Sequence, residues 1–319
     1  MLHDLDGIIE SERGKHMKFK WVKMLAVVVF ALGLMVPTTG YAADNSQKAI
    51  DEKLGVPIVV YGANLSEAEK ESVKKSLKVE EEPEIEEITV SGQDLVKYIK
   101  DSNSSSRMYS SAKITRKEAG EGLVIDIVTP ENITQVTAEM YANAMLTAGI
   151  EDAIVEVAAP KAVTGHSALV GIYKAYEVTT GETLDMERTD VANEELSVAT
   201  SIAESSGVDD AKVAELLTEI KKEIAELNPA SREEVQKIVE DQLSKLEINL
   251  SEQDRQLLVD LMNKISKLDI DFSKWSEQLN DISNTLQEKF GALMEDESFW
   301  EGVKNFFVKL KETISAWFN

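Results

Sequence analysis

Short β-rich runs alternate with helical patterns between residues 44 and 180. The β-rich runs lie at residues 57–61, 85–90, 108–116, 123–129 and 153–159. Helical patterns begin at the capping-box sequence SEAE at residues 66–69 and recur at residues 94–100, 134–148 and 168–178. The sequence therefore predicts an α+β or three-layer α/β domain over residues 44–180. The glycine-containing segment 118–122 separates two β-rich runs, so we expect the runs at 108–116 and 123–129 to form a hairpin.

Strand patterns stop at about Leu184, and apolar residues then recur at every third or fourth position. Such stripes cover residues 213–227, 235–246, 257–268 and 275–293. Ser231 with Glu234 and Ser251 with Asp254 indicate sharp helix starts. The pattern predicts an all-α domain over residues 181–319, with the stripes forming its core.

The C-terminal segment 298–318 differs in composition from the rest of the chain. It combines six aromatic residues with Lys304, Lys309 and Lys311, a combination found in helices that lie in a membrane interface. Glu301 and Glu312 dilute its basic face. We therefore favour an amphipathic helix that closes the helical domain or pairs with a second copy, and weak membrane-surface contact is the alternative.

The N-terminal region has the pattern of a targeting sequence. Three lysines at positions 18, 20 and 23 precede the apolar run 24–36, and Gly-Tyr-Ala follows at residues 40–42. This predicts a cleavable signal peptide over residues 17–43, because thirteen apolar residues are too few to span a bilayer. Residues 1–16 precede a second start at Met17 and are interpreted as an extra or untranslated segment. We expect an extracytoplasmic protein, either secreted or associated with the cell envelope.

Charge and composition exclude several classes of function. The chain has 58 acidic and 34 basic residues, giving a net charge of −24, so its surface repels polyanions and nucleic acid is excluded as a partner. It has no cysteine, which excludes disulfides and thiol chemistry. His166 is the only histidine after the predicted signal peptide, so a zinc site with several histidines is excluded.

Three local motifs resemble chemical sites, and none of them predicts one. Gly165-His166-Ser167 has the context of a nucleophile elbow, but Leu169 stands where that motif has glycine, and we expect Thr164 or Ser167 to cap a helix instead. The serine-rich segment 102–106, followed by Arg107, is interpreted as a solvated loop in preference to a binding loop. The Asp269–Asp271 pattern begins like a calcium loop but continues as a helix start. The sequence thus predicts no catalytic, cofactor-binding or metal-ligating residue, and no cofactor.

Several stretches together resemble the YpuA-like family of secreted proteins from Gram-positive bacteria. They are TAEMY at 137–141, NA at 143–144, TAG at 147–149, VAAP at 157–160, Gly165 with AL at 168–169, KAYE at 174–177, and the pairs SR at 106–107 and SS at 110–111. The resemblance covers nearly the whole chain after residue 57. It implies no chemistry, because the family is one of unknown function without established site residues.

The expected function is that of an exported, non-enzymatic binding or structural protein of the envelope or the extracellular space, with an envelope component or a protein as partner. One alternative is a carboxylate-dependent hydrolase of wall or surface glycan, whose mark would be two convergent carboxylates in a deep acidic cleft. The other is a peripheral membrane module that uses residues 298–318.

Overall fold

A five-stranded sheet and nine α-helices make up residues 54–290, which are the residues that the computed structural model describes. The strands are β1 (Ile58–Gly62), β2 (Glu86–Val90), β3 (Ser111–Arg116), β4 (Leu123–Ile127) and β5 (Ala153–Ala158). The helices are α1 (Glu67–Ser76), α2 (Gly92–Tyr98), α3 (Ala138–Ala148), α4 (His166–Thr180), α5 (Met186–Ser206), α6 (Asp210–Leu227), α7 (Arg232–Lys245), α8 (Glu252–Ile265) and α9 (Phe272–Phe290). Segment 1–16, the predicted signal peptide at 17–43 and the aromatic segment 298–318 lie outside the described residues.

The sheet has the strand order β2-β1-β3-β5-β4. Strands β1, β2, β4 and β5 run in one direction, and β3 runs antiparallel to its two neighbours, β1 and β5. The predicted hairpin between β3 and β4 is therefore wrong, because β5 lies between them. The loop that joins β3 to β4 passes around the start of β5, where the Gly120 and Gly122 amides donate to the Asp152 carboxylate at 3.0 and 2.8 Å.

Both faces of the sheet are covered at β1. Successive side chains of this strand point to opposite faces, and each face packs against a helix. On one face, Val60 packs under α4, and the Cα of Gly171 comes so close that a Cβ there would lie 2.9 Å from a Val60 methyl group. On the other face, Val59 and Tyr61 pack against Val73 of α1 in a separate, smaller cluster. The sheet thus forms the middle layer between helices at this end.

The predicted helix boundaries are largely confirmed by cap geometry. Ser66 and Glu69 form the expected capping box at α1, and the Ser231 box starts α7. Helix α3 begins at Ala138, four residues later than the start of the apolar pattern, because the Thr137 side chain caps it. It ends as predicted at Gly149, which has a φ of 91°, a left-handed conformation that favours glycine. Helix α9 begins at Phe272, directly after the Asp269–Asp271 pattern, as expected for a helix start.

Helices α5 to α9 extend the same hydrophobic core away from the sheet. Helix α3 packs against β4 on one side and against α5, α6 and α9 on the other. One hydrophobic cluster runs from Ile58 in β1 to Ile282 in α9. The fold is therefore α+β overall. A division into an N-terminal α/β domain and an all-α domain after residue 180 is not confirmed and stays a prediction. None of the described helices is both long enough and apolar enough to cross a membrane.

Removing one half-buried negative charge is expected to stabilise the fold at neutral pH. Burial raises the pKa of Glu215 on α6, and Glu219 one turn later raises it further. A carboxyl pKa that is higher in the folded than in the unfolded state means that ionisation destabilises the fold. This destabilisation is absent at pH values below the pKa of the unfolded state, and it is complete at pH values above the pKa of the folded state. A like-charge pair at this spacing costs about 0.2–0.5 kcal/mol.

Glu215→Gln should therefore raise Tm by about 1–2 °C at pH 7.5, and the gain should vanish as the pH falls through the pKa of the unfolded glutamate. Thermal unfolding at pH 7.5 and pH 4 measures both values. An equal shift at the two pH values would contradict the role given to charge.

Candidate functional site

An open cleft of about 670 Å³ lies between α2, α4, α5 and the segment that precedes β3. Its volume falls within the range of about 300–1,000 Å³ that is typical of small-ligand sites. Four parts of the chain line it, and together they contribute both polar and apolar residues. The lining residues are Leu95, Ile99, Ser106, Arg107, Met108, Tyr109, Val163, Thr164, His166, Ser167, Val170, Asp190, Asn193, Glu194 and Ser197.

The cleft lies beyond the carboxyl ends of β1, β2 and β5. Strand β2 is followed directly by α2, and β5 is followed by the loop that leads to α4 at His166. The crossover through α1 connects β1 to β2, whereas α3 connects β4 to β5 on the other side of β3. In sheets of this kind, ligands bind where crossovers diverge at the carboxyl ends of the strands. The position of the cleft follows from this topology.

Two glycines hold the serine-rich segment against the sheet. A Cβ at Gly92, the first residue of α2, would lie 2.3 Å from the Ser104 carbonyl oxygen, and one at Gly62 would lie 2.4 Å from the Met108 carbonyl oxygen. Real Cβ atoms do not approach so closely, so both positions require glycine for space. Asn64 also clamps the segment, because its side-chain carbonyl accepts from the Met108 amide at 2.8 Å. The wall that carries Arg107 is therefore built into the fold.

Helix α4 begins at the cleft without a side-chain cap. Its N-cap is Gly165, in a left-handed conformation with a φ of 104°, so the expected capping by Thr164 or Ser167 is wrong. Glycine is required there because a Cβ would come within 2.8 Å of the Tyr141 hydroxyl, which donates to the Gly165 carbonyl. Since neither hydroxyl is used as a cap, Thr164 and Ser167 both line the cleft.

His166 does not form a catalytic pair with Ser167. Its Nε2 lies 3.3 Å from the Thr200 hydroxyl oxygen, and that hydroxyl has α5 carbonyl oxygens, such as that of Leu196, as its own acceptors. Nε2 therefore has the donor role in this contact. Burial lowers the pKa of His166, against the opposing effect of Glu204, so the ring is neutral at pH 7. The ring is committed to the α4–α5 contact instead of to a nucleophile.

The loop between β5 and α4 is clamped at the rim of the cleft. Lys161 binds the Glu69 carboxylate at 2.8 Å and lies 3.9 Å from the centre of the Tyr109 ring. The hydrogen bond from Lys161 lowers the pKa of Glu69 to about 2, with help from the capping bonds of Ser66. These contacts join α1, the loop and Tyr109, so this rim is held in place.

One face of α5 forms the remaining wall. Asp190, Asn193, Glu194 and Ser197 lie three and four positions apart, and they share this face. The Asp190 Oδ1 accepts from the Lys100 amide at 2.9 Å, and both oxygens of Glu194 lie 2.6 Å from the Lys264 ammonium. Lys264 of α8 therefore neutralises Glu194, whereas Asp190 is held only by a backbone amide that follows α2 and forms no ion pair with any described residue.

A buried polar network fixes the opposite face of α5. Glu195 and Lys221, with side chains 1% and 0% exposed, form an ion pair at 2.9 Å. The Lys221 ammonium also donates to the Asn143 carbonyl at 2.8 Å and to the Thr147 hydroxyl at 3.0 Å, and it lies 4.9 Å from the centre of the Trp275 ring. Burial lowers the pKa of Lys221, and Glu195 opposes that shift. The network joins α3, α5, α6 and α9, and it sets where the cleft-lining face of α5 lies.

The arrangement is suited to binding. The cleft brings together Arg107 and His166–Ser167, which belong to two separate motifs of the sequence. No group of His, Asp and Glu within residues 54–290 is placed to hold a metal ion. The contribution of α5 has no signal in the sequence, because its four polar residues are ordinary for an exposed helix face.

Comparison with known proteins places the chain in a family. A model for the family described as "Protein of unknown function (DUF1002)" matches residues 61–282. The chain is also 36% identical over 307 residues to the uncharacterized protein YpuA of Bacillus subtilis (strain 168), covering 95% of this chain and the whole of that protein. The chain belongs to the DUF1002 family.

The resemblance to YpuA-like proteins is thus confirmed. The DUF1002 match begins within β1 and ends in α9, so it includes all the residues that line the cleft and all those of the buried network. No solved structure matches the chain at a significant level.

Proposed function

We propose that this DUF1002 chain is an exported, non-enzymatic binding protein of the cell envelope or the extracellular space, and that the cleft is its binding site. The observation that carries the proposal is that packing and polar contacts hold the cleft walls in place. Gly62 and Gly92 seat one wall, Lys161 clamps the rim, and the Glu195–Lys221 network holds α5. A cleft held open in this way binds a ligand without the cost of first ordering its own walls.

Binding is favoured over glycan hydrolysis by the state of the acidic side chains. A glycosidase needs two carboxyl groups that face the scissile bond, one to donate a proton and one to attack or activate water. The cleft-lining carboxylates Asp190 and Glu194 lie on the same face of one helix, and Lys264 holds both oxygens of Glu194. Neither is arranged opposite the other across the cleft.

Export is proposed from the sequence of the N-terminal region. Lysines 18, 20 and 23, the apolar run 24–36 and the small residues at 40 and 42 support a cleavable signal. N-terminal sequencing of the protein recovered from the culture medium and from the cell-wall fraction tests this. Sequences that begin after Ala42 or Ala43 are expected, and recovery of an intact N-terminus from the cytoplasm alone would contradict export.

Blocking the cleft should abolish binding to envelope material. Ser197 is exposed at the cleft on α5, so Ser197→Trp places an indole ring in the space that a ligand needs. The matched control is Ser244→Trp, which adds the same ring to an exposed position on α7 outside the cleft. Co-sedimentation with purified cell-wall sacculi should be lost for Ser197→Trp and kept for Ser244→Trp.

The same experiment separates the two alternatives. Reducing sugar released from sacculi by the unchanged protein would support the hydrolase. Sedimentation with anionic liposomes that is unaffected by Ser197→Trp but lost when Phe306 and Phe307 are replaced by aspartate would support a membrane module. Loss of sacculus binding in both tryptophan variants, or in neither, would overturn the assignment of the cleft.

A further inference from the structure

We propose that the cleft binds a short apolar peptide by both of its charged ends, the carboxylate at Arg107 and the ammonium group at Asp190. This inference rests on the proposed function, because it names the ligand class of the same site. It follows from three properties of the lining: apolar side chains, two opposite charges that do not neutralise each other, and further polar side chains.

The floor of the cleft is apolar. The contributing residues are Leu95 of α2, Ile99 directly after α2, Met108, Val163 in the loop before α4, and Val170 of α4. Met108 and Val170 are 1% exposed, whereas Leu95, Ile99 and Val163 are partly open to the cleft. A ligand that covers these side chains gains about 25 cal/mol for each Å² of apolar surface removed from water. The floor therefore favours a ligand with aliphatic side chains.

The charges of Arg107 and Asp190 are not neutralised by ion pairs among the described residues. Arg107 is exposed on the serine-rich wall and has no carboxylate partner among the described residues, although Asp190 and Glu194 line the same cleft. A guanidinium binds a carboxylate through two parallel hydrogen bonds, which makes it the preferred partner of a peptide C-terminus. Arg107 is therefore available to an anionic group of a ligand, in a chain whose net charge of −24 leaves most of its surface negative.

Asp190 is the complementary group on the opposite wall. Its Oδ1 accepts from the Lys100 amide, which fixes the side chain, while Oδ2 has no hydrogen-bond partner within residues 54–290. Glu194 is less suited to a ligand cation, since Lys264 already neutralises it. The free oxygen of Asp190 can therefore accept from a peptide ammonium group.

Other polar side chains that line the cleft distinguish a peptide from a fatty acid. Thr164 and Ser167 have no capping role, and Asn193 donates to the Thr189 carbonyl at 2.7 Å, which leaves its side-chain oxygen as an acceptor. Peptide N–H and C=O groups can satisfy these side chains. An acyl chain would cover them without providing partners, and burying unpaired polar groups is costly.

The test uses a matched set of four peptides and three variants. The tripeptide Leu-Ala-Leu is titrated calorimetrically into the purified full chain with free ends, with an N-terminal acetyl group, with a C-terminal amide, and with both. The variants are Arg107→Gln, Asp190→Asn, and the control Arg232→Gln, which removes a guanidinium from a surface pair with Asp260 outside the cleft. Far-UV circular dichroism and Tm establish that each variant is folded.

Losing one charge-assisted contact should lower affinity by about tenfold or more. For the unchanged protein, acetylation and amidation should each weaken binding by this factor. Arg107→Gln should weaken binding of the free-carboxylate peptides and leave the amidated ones unchanged. Asp190→Asn should weaken binding of the free-amine peptides and leave the acetylated ones unchanged. Arg232→Gln should match the unchanged protein throughout.

Equal affinity for all four peptides, or a loss in Arg107→Gln that is the same with and without the peptide carboxylate, would overturn the inference. Binding of decanoate without binding of any peptide would also overturn it. Failure here is distinct from failure of the proposed function, because sacculus binding that Ser197→Trp abolishes would still establish the cleft as a binding site.

Discussion

Replacement of Lys221 by methionine is expected to lower the free energy of unfolding by about 3–5 kcal/mol, a large part of the stability of a typical domain. Methionine has a length similar to that of lysine but leaves Glu195 charged and almost fully buried, with the Thr147 hydroxyl as its remaining partner. An isolated buried charge is far more costly than the pair that it replaces. Urea unfolding followed by circular dichroism measures the loss.

Two companion variants test the cause. Lys222→Met removes the neighbouring lysine, whose ion pair with Glu219 is partly exposed, and it should cost no more than about 1 kcal/mol. Combining Lys221→Met with Glu195→Leu removes both buried charges and should recover a large part of the loss. A double variant that is less stable than Lys221→Met alone would contradict the view that the uncompensated charge is the cost.

Replacement of Gly92 by alanine should destabilise the fold by about 1–3 kcal/mol and also weaken ligand binding at the cleft. Alanine is otherwise favoured over glycine at the start of a helix, so any loss comes from the new methyl group. That methyl group would meet the Ser104 and Ser106 carbonyl oxygens, forcing the segment that carries Arg107 to move. Urea unfolding measures the first effect, and sedimentation with sacculi measures the second.

The control for this variant is Gln93→Ala, at the next position of α2, where the side chain is exposed. It should leave stability and sacculus binding near those of the unchanged protein. If Gly92→Ala were as stable and as active in binding as Gln93→Ala, the serine-rich segment would not be held by close packing, and the argument for a rigid wall would fail.

The strands and most helices could be predicted from the sequence because their signals are local. Short β-rich runs marked all five strands, and cap residues such as Ser66 and Ser231 marked helix starts. The pairing of strands, by contrast, depends on residues that are distant in the sequence. The glycines at 120 and 122 do mark a loop, but they bind Asp152 at the start of β5 instead of turning β3 directly onto β4.

Helix α5 was not predicted because polar residues interrupt its buried, mostly apolar face. Thr189, Glu195 and Thr200 are buried along it, where a typical stripe would have leucine or valine, so the apolar period is interrupted. The partners that make these residues tolerable in a core, such as Lys221 for Glu195, come from other helices. The sequence of α5 alone cannot show that these polar residues have partners on other helices.

The cleft could be predicted only in pieces. Arg107 and Ser167 each lie in a segment with a recognisable motif, but the residues between them include β3, β4 and β5. Their meeting depends on the strand order of the sheet, and another wall comes from α5, whose apolar stripe is interrupted by polar residues. The sequence therefore singled out two of the four parts of the chain that line the cleft, with no sign that they formed one site.

The insertion of β5 between β3 and β4 also has a consequence for the order of folding. Residues 58–127 hold four of the five strands, yet β4 has no neighbour in the sheet until Ala153–Ala158 arrives to pair with both β3 and β4. Pairings of this kind join distant parts of the chain and slow folding. During synthesis, which starts at the N-terminus, the sheet therefore stays incomplete until β5 has been synthesised. The chain segments that line the cleft come together only after that step.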